Sequence, residues 1–152
     1  LKTLARQSDK DELVARLRGL RPDSVRRWGR MSAHQAVCHA SDCLRMAMGQ
    51  RPVSPSTDLF QRTVVKWVAL YSPLRWPPGI QTRPEIDQQG GGTRPVDFAA
   101  DVAELEALLE RMRAPATRLD RSLHPMFGRM SNTDWLRWGY LHTDHHLRQF
   151  GA

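Results

Sequence analysis

Six histidines stand at positions 34, 39, 124, 142, 145 and 146, and five of them fall on, or just before, two stretches that read as helices. His142 and His146 are four residues apart. On a helix both imidazoles then leave one face about one turn from each other, the spacing at which two ring nitrogens can share a metal ion. His39, on an earlier helix, would complete a set of three. Three neutral imidazoles on a divalent ion leave coordination positions open, and open positions mark catalytic rather than purely structural sites.

The same residues admit a plainer arrangement. Trp135, Trp138, His142, His145 and Gln149 recur at alternating three- and four-residue steps, so His142 also fits a hydrogen-bonded core position. His145 competes with His146 for the ligand role: it lies about 60° round the helix from His142, against about 40° for His146, which favours His146. Other metal chemistries lack their residues. A zinc-protease helix needs Glu directly after the first histidine, where this chain has Thr143, and a di-iron bundle needs Glu three residues before each histidine, where it has Gly139 and Ala36. Cys38 and Cys43 flank His39 but are five apart, too far round a helix for a disulfide, and read as packing residues.

The elements that must position these side chains are announced by capping signals, a side-chain acceptor followed three residues later by an acid or amide. Asp9 with Glu12 opens a helix carrying Leu13, Leu17 and Leu20. Ser32 with Gln35 opens a second, from about Ala33 to Met48, stopped by Gly49. Asp58 with Gln61 opens a third, whose Leu59, Val64, Val65, Val68 and Leu70 give an apolar face before Pro73. Asp97 caps a fourth with Val102, Leu105, Leu108, Leu109 and Met112, and Ser131 with Asp134 opens the last, to about Phe150. No segment alternates as a strand does, so the expectation is an all-α bundle. Ser72 to Pro95 holds five prolines and the run Gly90, Gly91, Gly92, and is read as an insert: a lid over a site or a linker.

Composition excludes several classes. At 152 residues a single domain over 1–152 is expected. The longest apolar stretch, Val64 to Tyr71, is interrupted by Lys66 and falls short of a membrane span. The net charge of +7 invites nucleic acid as a partner, but 20 of the 23 basic residues are dispersed arginines without interleaved aromatics, and nucleic-acid binding is disfavoured. Two cysteines are too few for a disulfide scaffold. With no visible signal, a cytoplasmic location is the default expectation.

The segments Trp28-Gly-Arg-Met-Ser-Ala-His-Gln-Ala-Val-Cys-His39-Ala-Ser-Asp42, His124-Pro-Met-Phe-Gly128 and His142-Thr-Asp-His-His146-Leu-Arg-Gln-Phe-Gly151 resemble the DinB/YfiT-like superfamily, and within it a branch ending in His-His-Leu-Arg-Gln-Phe-Gly. The resemblance implies a four-helix bundle, here with an additional helix and the long Pro/Gly-rich insert, often dimeric. It also implies a divalent metal (zinc, nickel or iron) held by one histidine of the second helix and two, four apart, of the last, matching His39, His142 and His146. Related proteins include thiol S-transferases, others that look like metal-dependent hydrolases or isomerases, and many for which no reaction is known. This implies a small-molecule substrate and a metal that activates either a low-molecular-weight thiol such as glutathione or water. A non-catalytic, metal-stabilised bundle or binding protein is the alternative. Asp42, His124, His145 and Gln149 are the further candidates: Asp42 to orient a ligand ring or to meet a surface arginine, Gln149 to fix a ring or a water, His124 as an acid/base or substrate group or a turn residue, His145 as a neighbour of the ligands, a substrate contact or an exposed rim residue.

Overall fold

The computed structural model describes residues 1–56 and 58–152. Helices α1 (Gln7–Arg18), α2 (Ala33–Ala47), α4 (Phe98–Arg113) and α5 (Asn132–Gln149) form a bundle, with α2 against α4 and α1 against α5. A π-helical stretch, Gln61–Val65, runs into the short α3 (Lys66–Tyr71). The core is built as the spacing requires: Leu13 and Leu17 of α1, Val37 and Leu44 of α2, Leu105, Leu108, Leu109 and Met112 of α4, and Trp135, Trp138 and Leu147 of α5.

The caps of α2, α4 and α5 close as read from sequence. Ser32 and Gln35, and likewise Ser131 and Asp134, exchange side-chain and backbone bonds at the starts of α2 and α5, and the Asp97 carboxylate accepts from the Ala100 amide at the start of α4. Helices α2 and α5 carry five of the six histidines, so the registers of those side chains are pinned at the N-terminus.

Three expectations need correction. Helix α1 begins at Gln7, with Arg6 at its cap, and Asp9 does not pair with Glu12. The buried Asp9 carboxylate instead accepts from the Thr3 amide (2.9 Å) and Arg6 Nε (2.8 Å), fastening the N-terminal segment, and Glu12 is drawn away to Lys2 and Tyr140. In the third segment Asp58 and Gln61 do exchange bonds, yet the expected apolar face does not form. A π stretch interrupts the segment, and of the five residues only Leu70 is fully buried: Leu59 (78% exposed), Val64 and Val68 face outward, and Val65 is partly buried against the core. Finally, the chain does contain strand: Leu123–His124 pairs antiparallel with Gly128–Arg129. Periodicity cannot reveal two-residue strands. The turn between them is held by His124 Nδ1, which accepts from the amides of Met126 (3.1 Å) and Phe127 (3.0 Å).

The insert is neither helical nor detached. Apart from a 3-10 turn at Pro84–Ile86 it has no regular structure, and it lies on the open edge of α2.

Candidate metal centre

Helix α2 presents His39 inward, and α5 presents His142 and His146 from adjacent turns. The ring centroids are 5.2 Å (His39 to His142), 4.8 Å (His39 to His146) and 4.8 Å (His142 to His146) apart. One nitrogen from each ring lies within 4.8 Å of the other two. Desolvation pushes all three pKa values down; for His142 and His146 the neighbouring imidazoles push further the same way. At neutral pH the rings are therefore uncharged and each has a lone pair that can bind a cation.

Two of the rings are aimed from behind. His39 Nδ1 lies 2.8 Å from the carbonyl oxygen of Ile86, which can only accept, so the proton is on Nδ1 and the Nε2 lone pair points away from the insert. Gln149 does the same for His146. Its Nε2 donates to the Trp28 carbonyl (2.9 Å), which fixes Oε1 as the acceptor for His146 Nδ1 (3.0 Å). This approach requires glycine at position 29, where φ is +75° and a Cβ would sit 2.6 Å from Gln149 Nε2. His142 is held by packing: its ring stacks on Trp138, centroids 4.8 Å apart and planes 23° from parallel. Its Nδ1 is buried and has no hydrogen-bond partner among the described residues. A buried nitrogen left without a partner, beside two rings with fixed tautomers, fits a cation in the space between them.

Asp42 does not touch an imidazole. Its fully buried carboxylate accepts from the Thr93 amide (2.8 Å), Thr93 Oγ1 (2.7 Å), Arg51 Nη1 (2.9 Å) and Gln88 Nε2 (3.0 Å), and these bonds draw the insert onto α2. Ile86 belongs to that same folded segment, so Asp42 acts on His39 through the insert's backbone. Gly92 lets the segment pass close: a Cβ there would meet Gln88 Nε2 at 2.7 Å and the Asp87 backbone at 2.8 Å.

His145 and His124 lie beside the group of three without joining it. His145 is buried between Trp28 (5.8 Å) and Trp76 (6.2 Å), 5.3 Å from the His146 ring, with its pKa lowered to about 4 mainly by burial. His124 uses Nδ1 in the hairpin turn and stacks on Phe127 (4.4 Å), while Trp138 separates it from His142; burial lowers its pKa to about 3. Cys43 Sγ lies 3.6 Å from His39 Nε2, and burial pushes that thiol up, so it is protonated at neutral pH.

Sequence reading missed Ile86, Trp28 and Trp76. The first two act through backbone carbonyls, for which no side-chain signal exists, and Trp76 reaches His142 (6.3 Å) and His145 only because the insert folds back. An open hollow of about 430 Å³, lined in part by Ser24, Arg26, Ser32 and Phe150, lies elsewhere and shares no residue with the histidine group.

Among the described residues no helix is long and apolar enough to cross a membrane. No curated protein and no solved structure gives a significant match. The bundle and its histidine group are consistent with a DinB/YfiT-like fold. Over residues 3–152 the chain matches the model of a family described as protein of unknown function (DUF1569), and it belongs to that family.

Proposed function

We propose that this chain is a metal-dependent enzyme in which His39, His142 and His146 hold one divalent ion, with zinc, nickel and iron the metals that such nitrogen donors suit. The observation that carries the reading is convergence: three desolvated, neutral imidazoles from two helices bring nitrogens within 4.8 Å of one another. A hydrophobic core gains nothing from three adjacent rings whose polar atoms must be desolvated. When bound, the ion supplies a nucleophile of lowered pKa at neutral pH, from water in a hydrolase or from a small thiol such as glutathione in an S-transferase.

The chain's own residues perform the positioning. The Ile86 carbonyl and the Gln149 amide each hold an Nδ1 proton, so Nε2 of His39 and of His146 is the nitrogen offered. Trp138 supports the His142 ring, and Trp76 covers the side of His142 and His145. His145 is the remaining ring beside the three and serves as a contact for a small electrophilic substrate entering past Trp76. His124 keeps the turn and the aromatic stack in place through its Nδ1.

The test is elemental analysis of protein purified without an affinity tag, comparing wild type with His39→Ala and His142→Ala. Each variant is expected to lose one divalent ion per chain relative to wild type while keeping its helical circular dichroism. Equal metal content in all three proteins would overturn the assignment. Titrating glutathione into the cobalt-substituted protein then separates the two chemistries: a changed visible spectrum supports thiol activation, and an unchanged one leaves water as the nucleophile.

A further inference from the structure

The opposite flank of α2 carries a second group of ligand types. His34 and Cys38 are one turn apart, and Asp101 reaches them from the first turn of α4. Cys38 is about 100° round the helix from His39, so this group faces α4 while His39 faces α5. Both side chains converge on a single oxygen: Asp101 Oδ2 lies 2.6 Å from His34 Nε2 and 3.6 Å from Cys38 Sγ. Nitrogen, sulfur and oxygen all lie within 4.8 Å of one another.

We propose that His34, Cys38 and Asp101 form a second metal site, taking a thiophilic divalent ion of the zinc class, separate from the three-histidine group. The geometry is close to what such an ion needs. With bonds of about 2.3 Å to sulfur and about 2.1 Å to oxygen, tetrahedral coordination sets sulfur and oxygen about 3.6 Å apart. That matches the observed 3.6 Å. Nitrogen and oxygen should stand about 3.4 Å apart, so His34 and Asp101 must separate from their present 2.6 Å. Both side chains are partly exposed, 18% and 26%, which allows the adjustment and gives an ion access.

Binding would replace the hydrogen that Cys38 Sγ now donates to Asp101 and any proton shared between Asp101 and His34, and would release them to solvent. Sulfur favours zinc, cadmium or cobalt here over magnesium or calcium. The loop ahead of α4 adds support, since the Val96 amide donates to the same carboxylate oxygen (3.4 Å) and holds Asp101 toward α2.

The experiment is a cobalt titration of the full metal-free chain, read as stoichiometry by elemental analysis and as the near-ultraviolet band that only a cobalt-thiolate bond produces. Wild type is expected to take two ions per chain and to show the band. Cys38→Ser and Asp101→Asn should each lose one ion and the band, while Cys43→Ser should keep both, excluding the cysteine beside His39. His39→Ala should lose one ion and keep the band, so the two sites fail independently. Asp101→Asn preserves side-chain shape and covers the case in which Cys38→Ser does not fold. Absence of the band in wild type, or a band that survives Cys38→Ser and vanishes in Cys43→Ser, would overturn the second site and leave His34 and Asp101 as a hydrogen-bonded pair between helices.

Discussion

His39 gives its Nδ1 proton to the carbonyl of Ile86, 2.8 Å away and 47 residues later in the chain. The partner of a buried helical histidine is thus a backbone atom of a segment rich in proline and glycine. That segment is held on α2 by the Asp42 carboxylate, one turn further along the same helix as His39. Orientation of the ring and docking of the insert are one structural event.

Asp42→Ala is therefore expected to act twice. Loss of a buried carboxylate leaves the Thr93 hydroxyl and amide, Gln88 and Arg51 without their acceptor, costing about 3 kcal/mol of stability. Metal affinity should also fall, because Ile86 is no longer held against His39. Urea unfolding gives the first quantity and competition with a chelator the second. A destabilised variant that still binds metal as wild type does would separate the insert from the site.

Gln149→Ala should cost about 1 to 3 kcal/mol of stability, since the Trp28 carbonyl and His146 Nδ1 lose their partner, and should weaken metal binding about 10- to 100-fold, the range seen when a partner that orients a ligand histidine is removed. Gly29→Ala should do similar damage from the other side, since the added Cβ displaces the Gln149 amide and the backbone there is left-handed. Chelator competition measured beside thermal unfolding distinguishes both from simple loss of fold.

Acid should destabilise the metal-free protein. His39, His124, His142, His145 and His146 all have folded pKa values below the ordinary histidine value, His145 at about 4 and His124 at about 3. Above about pH 6.5 neither state holds these protons and stability is full. As pH falls below 6.5 the unfolded chain takes up protons that the folded chain refuses, so stability declines by up to about 1.4 kcal/mol per pH unit for each ring. For His145 the decline levels off near pH 4, and for His124 near pH 3. His124→Asn keeps an acceptor for the Met126 and Phe127 amides and removes one titrating ring, so its urea midpoint should fall less steeply between pH 6 and 5. A slope equal to that of wild type would contradict the buried neutral state of His124.

The segment before the insert offers a test of burial. Leu59→Ser and Trp67→Ser, both at exposed positions, should change stability by no more than about 0.5 kcal/mol, whereas Leu70→Ala should cost about 2 to 5 kcal/mol. Equal, large losses at all three would mean that this face is covered in solution.

The sequence by itself determined the bundle and the placement of its histidines. The Ser32 and Ser131 caps fix where α2 and α5 begin, three- and four-residue apolar steps fix which faces turn inward, and the spacing of His142 and His146 then puts both rings on one side. These are local facts, because a helix makes its own hydrogen bonds between near neighbours. Only the tertiary structure decided what stands behind each ring. The acceptors for His39 and His146 are reached through Ile86, Gln149 and Trp28, and a carbonyl carries no mark of its partner in the residue type. Asp42, read either as a ligand-orienting residue or as a partner for an arginine, meets Arg45 and Arg51, and three donors of the insert turn it there as well. Leu59, Val64 and Val68 stayed outside and Leu70 went in, because at 3.6 residues per turn Val64 and Val68 stand about 140° and 180° round from Leu59, so the run held no single apolar face and packing alone decided which side turned inward.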